Sequence, residues 1–442
     1  MTPAGQERAI LVGVEVKSRP RKLTQGSVEA APFTAEESLD ELKTLAESAG
    51  ASVEASILQS RPAPDAATLI GTGKVEELKD TVTAAQADVV IFDSNLSPTQ
   101  LRNLERVLDA RVVDRTQLIL DIFARRARTR EGQLQVELAQ LNYLLPRLTG
   151  MGAALSRLGG GIGTRGPGET KLETDRRRIR TRIKKLDDEL ESVRAGRSTQ
   201  RRQRQSVPLA TIALVGYTNA GKSTLFNRLT GAEVLADAKM FATLDPTVRH
   251  ITLPSRRTVL LSDTVGFIRN LPTTLVKAFR ATLEEVVEAS LLLHVVDISS
   301  PHASQQTAHV TAVLHDIGAG ETRQILVLNK ADRLAESERG DSHVLAQRIL
   351  GEARTPEMSG AVAVSAREGR GIGELLAEMD RMLQLDPVSR ARFRLPAGEG
   401  GLLHLLHERA RVLSTTYADS WVEVEADVPE SIKRRLTGYI VE

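Results

Sequence analysis

Apolar runs alternate with longer amphipathic segments over the first part of the chain. The runs Ala9 to Val16, Val53 to Leu58 and Val89 to Phe92 have the length of buried strands, and Ala35 to Ala49 has helical periodicity. Such alternation is typical of β-α-β units on a small parallel sheet. We therefore predict an N-terminal α/β domain over residues 1–130.

Two later segments carry apolar residues at the spacing of paired helices. These positions are Leu134, Leu138, Leu141 and Leu145 in the first segment and Ile179, Ile183, Leu186, Leu190 and Val193 in the second. Steps of three and four residues place each set on one helix face. A glycine-rich stretch, Arg157 to Thr170, separates them, and the polar stretch Gly196 to Ser206 has the composition of a linker. We predict an antiparallel helical hairpin with an exposed glycine-rich tip and a linker over residues 131–206.

Composition narrows the classes of function. The 442 residues include no cysteine, which excludes disulfides, thiolate catalysis and cysteine-ligated metals. No apolar run approaches the roughly 20 residues of a spanning helix, and no secretory signal is recognisable, so we expect a cytoplasmic protein, with peripheral membrane association left open. The net charge is only +2, but between Arg157 and Arg204 fifteen basic residues stand against seven acidic ones. Nucleic-acid contacts would therefore come from a local patch.

A phosphate-binding motif follows an apolar strand at residues 210–215 and precedes a helix. The motif consists of Gly216, Tyr217, Thr218, Asn219, Ala220, Gly221, Lys222 and Ser223. In this context backbone N–H groups converge on the β-phosphate, Lys222 neutralises the β- and γ-phosphates, and Ser223 offers a hydroxyl to Mg²⁺. We predict an α/β nucleotide-binding domain over 207–386. A small α+β appendage follows at 387–442, with a helix, Leu402 to Leu413, and a strand, Trp421 to Val424.

A second motif selects the base. Asn329, Lys330, Ala331 and Asp332 follow another apolar strand. The carboxylate of Asp332 can accept hydrogen bonds from N1–H and the exocyclic amine of guanine, whereas adenine presents an acceptor at N1. Further along the chain, the backbone of Ser365, Ala366 and Arg367 is expected to meet guanine O6. The predicted ligands are therefore GTP and GDP.

Two segments between these motifs are expected to respond to the nucleotide. They are Phe241, Ala242, Thr243, Leu244 and Asp245, and Asp263, Thr264, Val265 and Gly266. Asp263 can hold Mg²⁺ through a water, and the Gly266 N–H can meet the γ-phosphate. We predict Thr243 as the second protein ligand of Mg²⁺, with Thr247 as the alternative. Lys222 and Gly266 are the predicted catalytic residues.

Two residues bear on how hydrolysis is organised. Phe267 stands where Ras-like proteins have the glutamine that positions the attacking water, so intrinsic hydrolysis should be slow or organised differently. Asn219 offers a carbonyl oxygen that could hold a monovalent cation such as K⁺ in place of an arginine finger. The alternative for Asn219 is local hydrogen bonding within the loop.

Basic residues around the hairpin tip form a candidate RNA-binding surface. They are Arg157, Arg165, Lys171, Arg176, Arg177, Arg178 and Arg180. Such residues can neutralise several phosphates, and a glycine-rich tip can enter a narrow cavity of structured RNA. The alternative is a solvated helix face with ion pairs within the helix.

Several stretches together resemble the HflX family of GTPases. They are LIGTGKVEEL, LILDIFARRARTREGQLQVELAQLNYLLPRLTG, GGGIGTRGPGETKLETDRRRIR, GYTNAGKSTLFN, FATLDPT and DTVGFI. The resemblance implies an α/β protein in which a Ras-like P-loop GTPase domain follows the parallel α/β domain and the basic hairpin and precedes the C-terminal appendage. It also implies a GTP-hydrolysing factor that binds the large ribosomal subunit and its RNA and splits stalled or idle ribosomes.

Two other functions remain open. The chain could be a GTP-switched assembly or RNA-binding factor of the large subunit, or an ATP-dependent RNA remodeller. The second function needs another nucleotide site, for which Gly71-Thr72-Gly73-Lys74 is only a short fragment. We expect a monomer and no DNA partner.

Overall fold

The structure is a computed structural model of the chain. It describes residues 6–16, 34–148, 171–205, 210–231, 240–241, 243–244, 246–269, 280–334, 341–351, 355, 357–384, 388–396, 399–418, 420–429, 432–433 and 436–441. The predicted glycine-rich tip with Arg157 and Arg165 lies outside these residues, as do Ala242 and Asp245.

The N-terminal domain is built on a parallel sheet of four strands in the order β2-β1-β3-β4. The strands are β1 (Arg8–Val16), β2 (Ser52–Arg61), β3 (Val89–Phe92) and β4 (Arg111–Asp114), and the helices are α1 (Ala35–Ser48), α2 (Thr72–Ala85), α3 (Pro98–Val107) and α4 (Arg115–Arg126). Neighbouring residues of β1 alternate between two apolar layers, with Leu11 in one and Ile10 in the other. The helices therefore cover both faces of the sheet, as the alternating pattern predicts.

Two long helices form the hairpin. The helix α5 (Arg130–Leu144) continues as a 3₁₀ turn (Leu145–Leu148), and α6 (Lys171–Gln205) spans 35 residues. The helices are antiparallel, because Arg130 pairs with Glu189 while Glu137, further along α5, pairs with Arg182, nearer the start of α6. Residues 196–205 are helical, so the predicted linker is wrong over this stretch. Its arginine and glutamine residues favour a helix strongly enough to tolerate one glycine.

In the predicted nucleotide-binding domain, the described strands form a six-stranded sheet in the order β10-β9-β8-β5-β7-β6, in which only β6 is antiparallel to its neighbour. The strands are β5 (Thr211–Gly216), β6 (Thr247–Thr252), β7 (Thr258–Asp263), β8 (Leu291–Asp297), β9 (Gln324–Asn329) and β10 (Met358–Ala363). The described helices are α7 (Lys222–Thr230), α8 (Arg280–Val287), α9 (Ala303–Asp316), α10 (Ser342–Leu350) and α11 (Ile372–Gln384). Because ligands of such sheets bind beyond the carboxyl ends of the strands, the motifs after β5, β7 and β9 share one edge.

The C-terminal appendage is an antiparallel sheet in the order β12-β13-β11-β14. It contains β11 (Val388–Pro396), α12 (Gly400–Arg409), β12 (Arg411–Tyr417), β13 (Trp421–Pro429) and β14 (Ile440–Val441). The predicted helix to Leu413 ends earlier, because the run from Arg411, rich in β-branched residues, pairs with β13 instead. Within the described ranges, no helix is long and apolar enough to cross a membrane.

The N-terminal domain packs directly against the predicted nucleotide-binding domain. Leu42, Leu45 and Phe123 share one buried apolar cluster with Val215 and Phe241. The rings of Phe123 and Phe241 meet edge to face, with centroids 4.5 Å apart. The contact therefore places the N-terminal domain on the segment that precedes Thr243.

Candidate functional site

The phosphate loop requires glycine at both of its ends. At Gly216 (φ +149°) an added Cβ would lie 2.3 Å from the carbonyl oxygen of Val295. At Gly221 (φ +96°) it would lie 2.2 Å from Nδ2 of Asn329. Both positions combine a positive φ with a close approach of another strand, so other residues would strain or displace the loop.

Lys222 begins the helix after this loop and is buried. Its Nζ donates to the carbonyl oxygens of Gly216, at 3.0 Å, and Tyr217, at 2.8 Å. Burial lowers the pKa of Lys222 to about 8, while the nearby Asp263 partly opposes the shift. An added Cβ at Gly266 would come within 3.0 Å of this Nζ, so the segment after β7 closes over the ammonium group.

Nucleotide binding should therefore take up protons in mildly alkaline solution. Above about pH 8 the free protein loses the Lys222 proton, whereas bound phosphates stabilise the ammonium group and raise its pKa. Affinity for GDP should fall as the pH rises through this value. Calorimetry in two buffers of different ionisation enthalpy, between about pH 8 and 9, measures the uptake.

The control for this experiment is Lys222→Arg, whose guanidinium stays protonated throughout that range. The wild type should take up protons, and the variant should not. Equal proton uptake by both proteins would contradict the assignment to Lys222.

Three oxygen-bearing side chains meet where Mg²⁺ is predicted. Oγ of Ser223 lies 2.8 Å from Oγ1 of Thr243, which donates to Oδ2 of Asp263 at 2.7 Å. Asp263 is fully buried, and its Oδ1 has no hydrogen-bond partner among the described residues. Burial raises the pKa of Asp263, and the hydrogen bond from Thr243 opposes that shift. A buried carboxylate next to two hydroxyls fits a hard cation such as Mg²⁺, which would counter the desolvation of the carboxylate.

The alternative ligand, Thr247, has a different position. It is the first residue of β6 and lies opposite Asp263 in the ladder with β7. The hydroxyl that contacts Ser223 belongs to Thr243. We therefore retain Thr243 as the proposed second ligand.

The predicted base-binding motifs are joined through Asn329. Its Nδ2 donates to the carbonyl of Ala220 at 2.8 Å, and its Oδ1 accepts from the N–H of Ala366 at 3.1 Å. Ser365 donates to Oδ1 of Asp332 at 2.7 Å, which lowers the pKa of that carboxyl. Asp332 is therefore held ionised near neutral pH, ready to accept hydrogen bonds from a base.

These segments enclose one cavity of about 380 Å³. It is lined by Thr218, Asn219, Gly221, Lys222, Ser223, Thr224, Phe241, Thr243, Thr264, Gly266, Asn329, Lys330, Asp332, Arg333, Ala366 and Arg367. The other described candidates are not among the residues that line this cavity: Gly216, Tyr217, Ala220, Leu244, Asp263, Val265, Ala331 and Ser365. Thr224 and Arg333 were not predicted, although each directly follows a motif.

Phe267 is fixed by the phosphate loop. Its N–H donates to the carbonyl of Gly216 at 3.1 Å, and its carbonyl accepts from the N–H of Thr218 at 2.8 Å. The ring is only 2% exposed and packs in the same apolar cluster as Tyr217. An apolar ring held in this way offers no group to orient a water molecule.

A buried polar chain joins the phosphate loop to the N-terminal domain. The hydroxyl of Tyr217 donates to Glu41, and Glu41 also pairs with Arg115. Arg115 donates to Asp93 at 2.7 Å as well. Nearby, the N–H of Met240 donates to Oγ of Ser48 at 3.0 Å. Polar and aromatic contacts thus hold the loop and the segment before Thr243 against α1 and α4.

The candidate RNA-binding residues that the structure describes lie on α6. Arg177, Arg178 and Arg180 are exposed, whereas Arg176 is half-buried. Lys171 is the first residue of this helix. The ion pairs of α6 differ along its length, since Arg178 approaches Asp175 at 3.9 Å while Arg182 donates twice to Glu137 of α5, at 2.7 and 2.8 Å.

Sequence comparison shows the family. Over 408 residues, which are 92% of this chain and 91% of the relative, the chain is 48% identical to GTPase HflX of Caldanaerobacter subterraneus subsp. tengcongensis. The chain belongs to the HflX family of GTPases. GTPase HflX of Escherichia coli strain K12 is 44% identical over 404 residues, 91% of each chain. The HflX resemblance seen in the sequence and the assignment as a GTP-hydrolysing P-loop enzyme are thereby confirmed.

Family models match three separate parts of this chain. They match as "GTP-binding GTPase N-terminal" over 36–124, "GTP-binding GTPase Middle Region" over 126–204 and "50S ribosome-binding GTPase" over 211–330. Among solved structures, a GTP-binding protein from Sulfolobus solfataricus in complex with GDP is 25% identical with a TM-score of 0.45. The alignment covers 86% of this chain and 100% of that one.

Proposed function

We propose that this HflX-family GTPase binds the large ribosomal subunit and, with GTP bound, separates ribosomes into subunits. The observation that carries the proposal is the exposed basic face of α6, formed by Arg177, Arg178 and Arg180. Exposed arginines neutralise phosphates without a fixed base sequence, which suits structured RNA. The family description "50S ribosome-binding GTPase" supports the same partner.

The packing of the two hairpin helices indicates that the basic residues of α6 are held on a rigid element. Leu134 of α5 is buried with Leu186 and Leu190 of α6, and Arg182 is held by Glu137. The exposed arginines are therefore carried on a braced helix that follows the glycine-rich tip in the sequence. A braced helix loses little conformational entropy when it enters an RNA cavity.

The contacts of Phe241 support control by the nucleotide. Phe241 stands two residues before Thr243 and packs on Phe123 of α4, and α5 of the hairpin begins soon after α4 ends. A γ-phosphate and Mg²⁺ that order Thr243 would reposition Phe241 and, through α4, the hairpin. The GTP-bound state would then differ from the GDP-bound state in its affinity for the ribosome.

The proposed hydrolytic site uses the chain's own groups. Lys222 would neutralise the phosphates, the Gly266 N–H would meet the γ-phosphate, and Ser223, Thr243 and Asp263 would hold Mg²⁺, which supplies charge stabilisation during phosphoryl transfer. Asn219, which is exposed at the cavity with φ +60°, would hold K⁺.

Sucrose-gradient sedimentation tests the proposal. Ribosomes are mixed with the protein and GTP, a non-hydrolysable GTP analogue or GDP, and the subunit peaks are measured. We expect dissociation with both triphosphates and none with GDP. Arg178→Glu/Arg180→Glu and deletion of 159–168 should each reduce dissociation at least about tenfold, because phosphate contacts become repulsive or the tip is lost.

The matched control reverses two exposed arginines of the GTPase domain, Arg323→Glu/Arg348→Glu, and should dissociate ribosomes like the wild type. Equal losses in both double variants would mean that net charge alone matters. Co-sedimentation without dissociation in every nucleotide state would instead favour the assembly-factor function. The fragment from Gly71 to Lys74 forms the start of α2, with Lys74 paired to Glu77 at 2.8 Å, and adds no support for an ATP site.

A further inference from the structure

The geometry points to Thr218 as a positioning residue for GTP hydrolysis, whose hydroxyl orients the attacking water against the γ-phosphate. The inference builds on the GTPase activity of the family. It supplies a group for the task that Phe267, at the glutamine position of Ras-like proteins, cannot perform.

Thr218 lies at the phosphate end of the cavity. An added Cβ at Gly266 would stand 3.0 Å from Cα and Cγ2 of Thr218 and 3.0 Å from Nζ of Lys222. Gly266, which is predicted to meet the γ-phosphate, therefore lies close to both Lys222 and Thr218. The base-binding residues occupy the other part of the cavity, around Asn329 and Asp332.

Among the residues that the structure describes, none forms a hydrogen bond with the hydroxyl of Thr218. The residue is only 6% exposed, and among the described residues that line the cavity it alone has a buried side-chain oxygen without a hydrogen bond. Buried hydroxyls are rarely left unpaired, because the lost hydrogen bond to water is not replaced. When the nucleotide binds, a water molecule or a phosphate oxygen can form a hydrogen bond with this hydroxyl and remove that energetic cost.

One backbone hydrogen bond fixes the main-chain position of Thr218. The N–H of Thr218 donates to the carbonyl of Phe267 at 2.8 Å, so Thr218 is tied to the segment that contains Gly266. A hydroxyl can accept one hydrogen bond and donate another. It can therefore accept from the attacking water and donate to a γ-phosphate oxygen while the water oxygen bonds to phosphorus and the bond to the β–γ bridging oxygen breaks. GDP leaves with that electron pair, and the water proton passes to the phosphate.

Two variants separate the hydroxyl from the shape of the side chain. Thr218→Val keeps both branches at Cβ and removes the hydroxyl, whereas Thr218→Ser keeps the hydroxyl and removes Cγ2. Single-turnover hydrolysis, with protein in excess over GTP, should be about tenfold to a hundredfold slower in the valine variant, the cost of one transition-state hydrogen bond. The serine variant should stay within about threefold of the wild type.

The control readout is binding. GDP affinity should change by less than about threefold in both variants, since the lost contact is made to the water and the γ-phosphate. The control variant Thr307→Val removes a buried hydroxyl of α9, which donates to Ala303 at 2.8 Å, and should leave hydrolysis unchanged. Wild-type hydrolysis by Thr218→Val would overturn the inference. So would serine and valine variants that are equally slow, or losses of GDP affinity that match the losses in rate.

Discussion

Asp332→Asn is expected to lower the affinity for GTP by about a thousandfold or more and to create affinity for xanthosine triphosphate. The ionised carboxylate of Asp332 can accept from both guanine N–H groups. If the asparagine NH₂ group faces the base, a donor is placed against the two guanine donors. If the amide oxygen faces the base instead, it accepts more weakly than a carboxylate oxygen does.

The surroundings of Asp332 make this substitution specific. Ser365 donates to Oδ1 of Asp332 at 2.7 Å, and an asparagine side-chain oxygen can accept the same hydrogen bond. The amide is then directed by Ser365 so that its NH₂ group takes the position of the second carboxylate oxygen. Xanthine has a carbonyl oxygen where guanine has the exocyclic amine, so the amide can donate to it.

Fluorescence titration with labelled GDP, displaced by GTP or xanthosine triphosphate, measures both affinities. The matched control is Asp341→Asn, which replaces the carboxylate that caps α10 through the N–H groups of His343 and Val344. Asparagine caps helices as well as aspartate does, so this variant should bind GTP like the wild type. If Asp332→Asn still binds GTP with wild-type affinity, Asp332 does not read the base.

Local sequence signals predict the elements of this protein well. The strand-loop-helix around Gly216 to Ser223 follows from residues close together in the chain, and so do the alternating strands and helices of the parallel four-stranded sheet and of the mixed six-stranded sheet. The roles of the individual site residues remain predictions, but the structure does bring the motifs after β5, β7 and β9 into one cavity. That convergence follows from topology, because parallel strands present their carboxyl ends on the same side.

Contacts between distant parts of the chain were not predictable from these patterns. Phe123 and Phe241 are 118 positions apart in the sequence, and nothing in the sequence around either residue indicates that they contact each other. Arg115 is a charged residue in a polar stretch at the start of α4, and such residues are usually exposed. In the structure, however, Arg115 is only 1% exposed. Only the folded chain brings Glu41 and Asp93 to its guanidinium group.

Arg115→Met is expected to reduce the free energy of unfolding of the N-terminal domain by about 3–5 kcal/mol. Burial disfavours the charge of Arg115, but Glu41 and Asp93 outweigh this effect and raise its pKa. The charged group is therefore stable only together with its carboxylates. Removing the guanidinium leaves two carboxylates that are nearly buried, each 13% exposed, without their cation.

A triple variant distinguishes unpaired charge from lost packing. In Arg115→Met/Glu41→Gln/Asp93→Asn the buried carboxylates become neutral amides that can still accept from Tyr217 and Ser38. This variant should regain a large part of the stability lost in the single variant, because replacing a whole buried ionic cluster costs less than breaking it. Hydrogen exchange of the α1 and α4 amides under native conditions reports the free energy for this domain.

The exposed pair between Arg130 and Glu189 provides the comparison. The side chain of Arg130 is 65% exposed, so Arg130→Met should cost less than about 1 kcal/mol. A similarly small cost for Arg115→Met would show that water already screens its cluster. A triple variant no more stable than the single one would show that packing of the guanidinium dominates. If both expectations hold, Arg115→Met destabilises the N-terminal domain chiefly because it leaves Glu41 and Asp93 as unpaired buried charges, and the ion pairs themselves contribute little net stability.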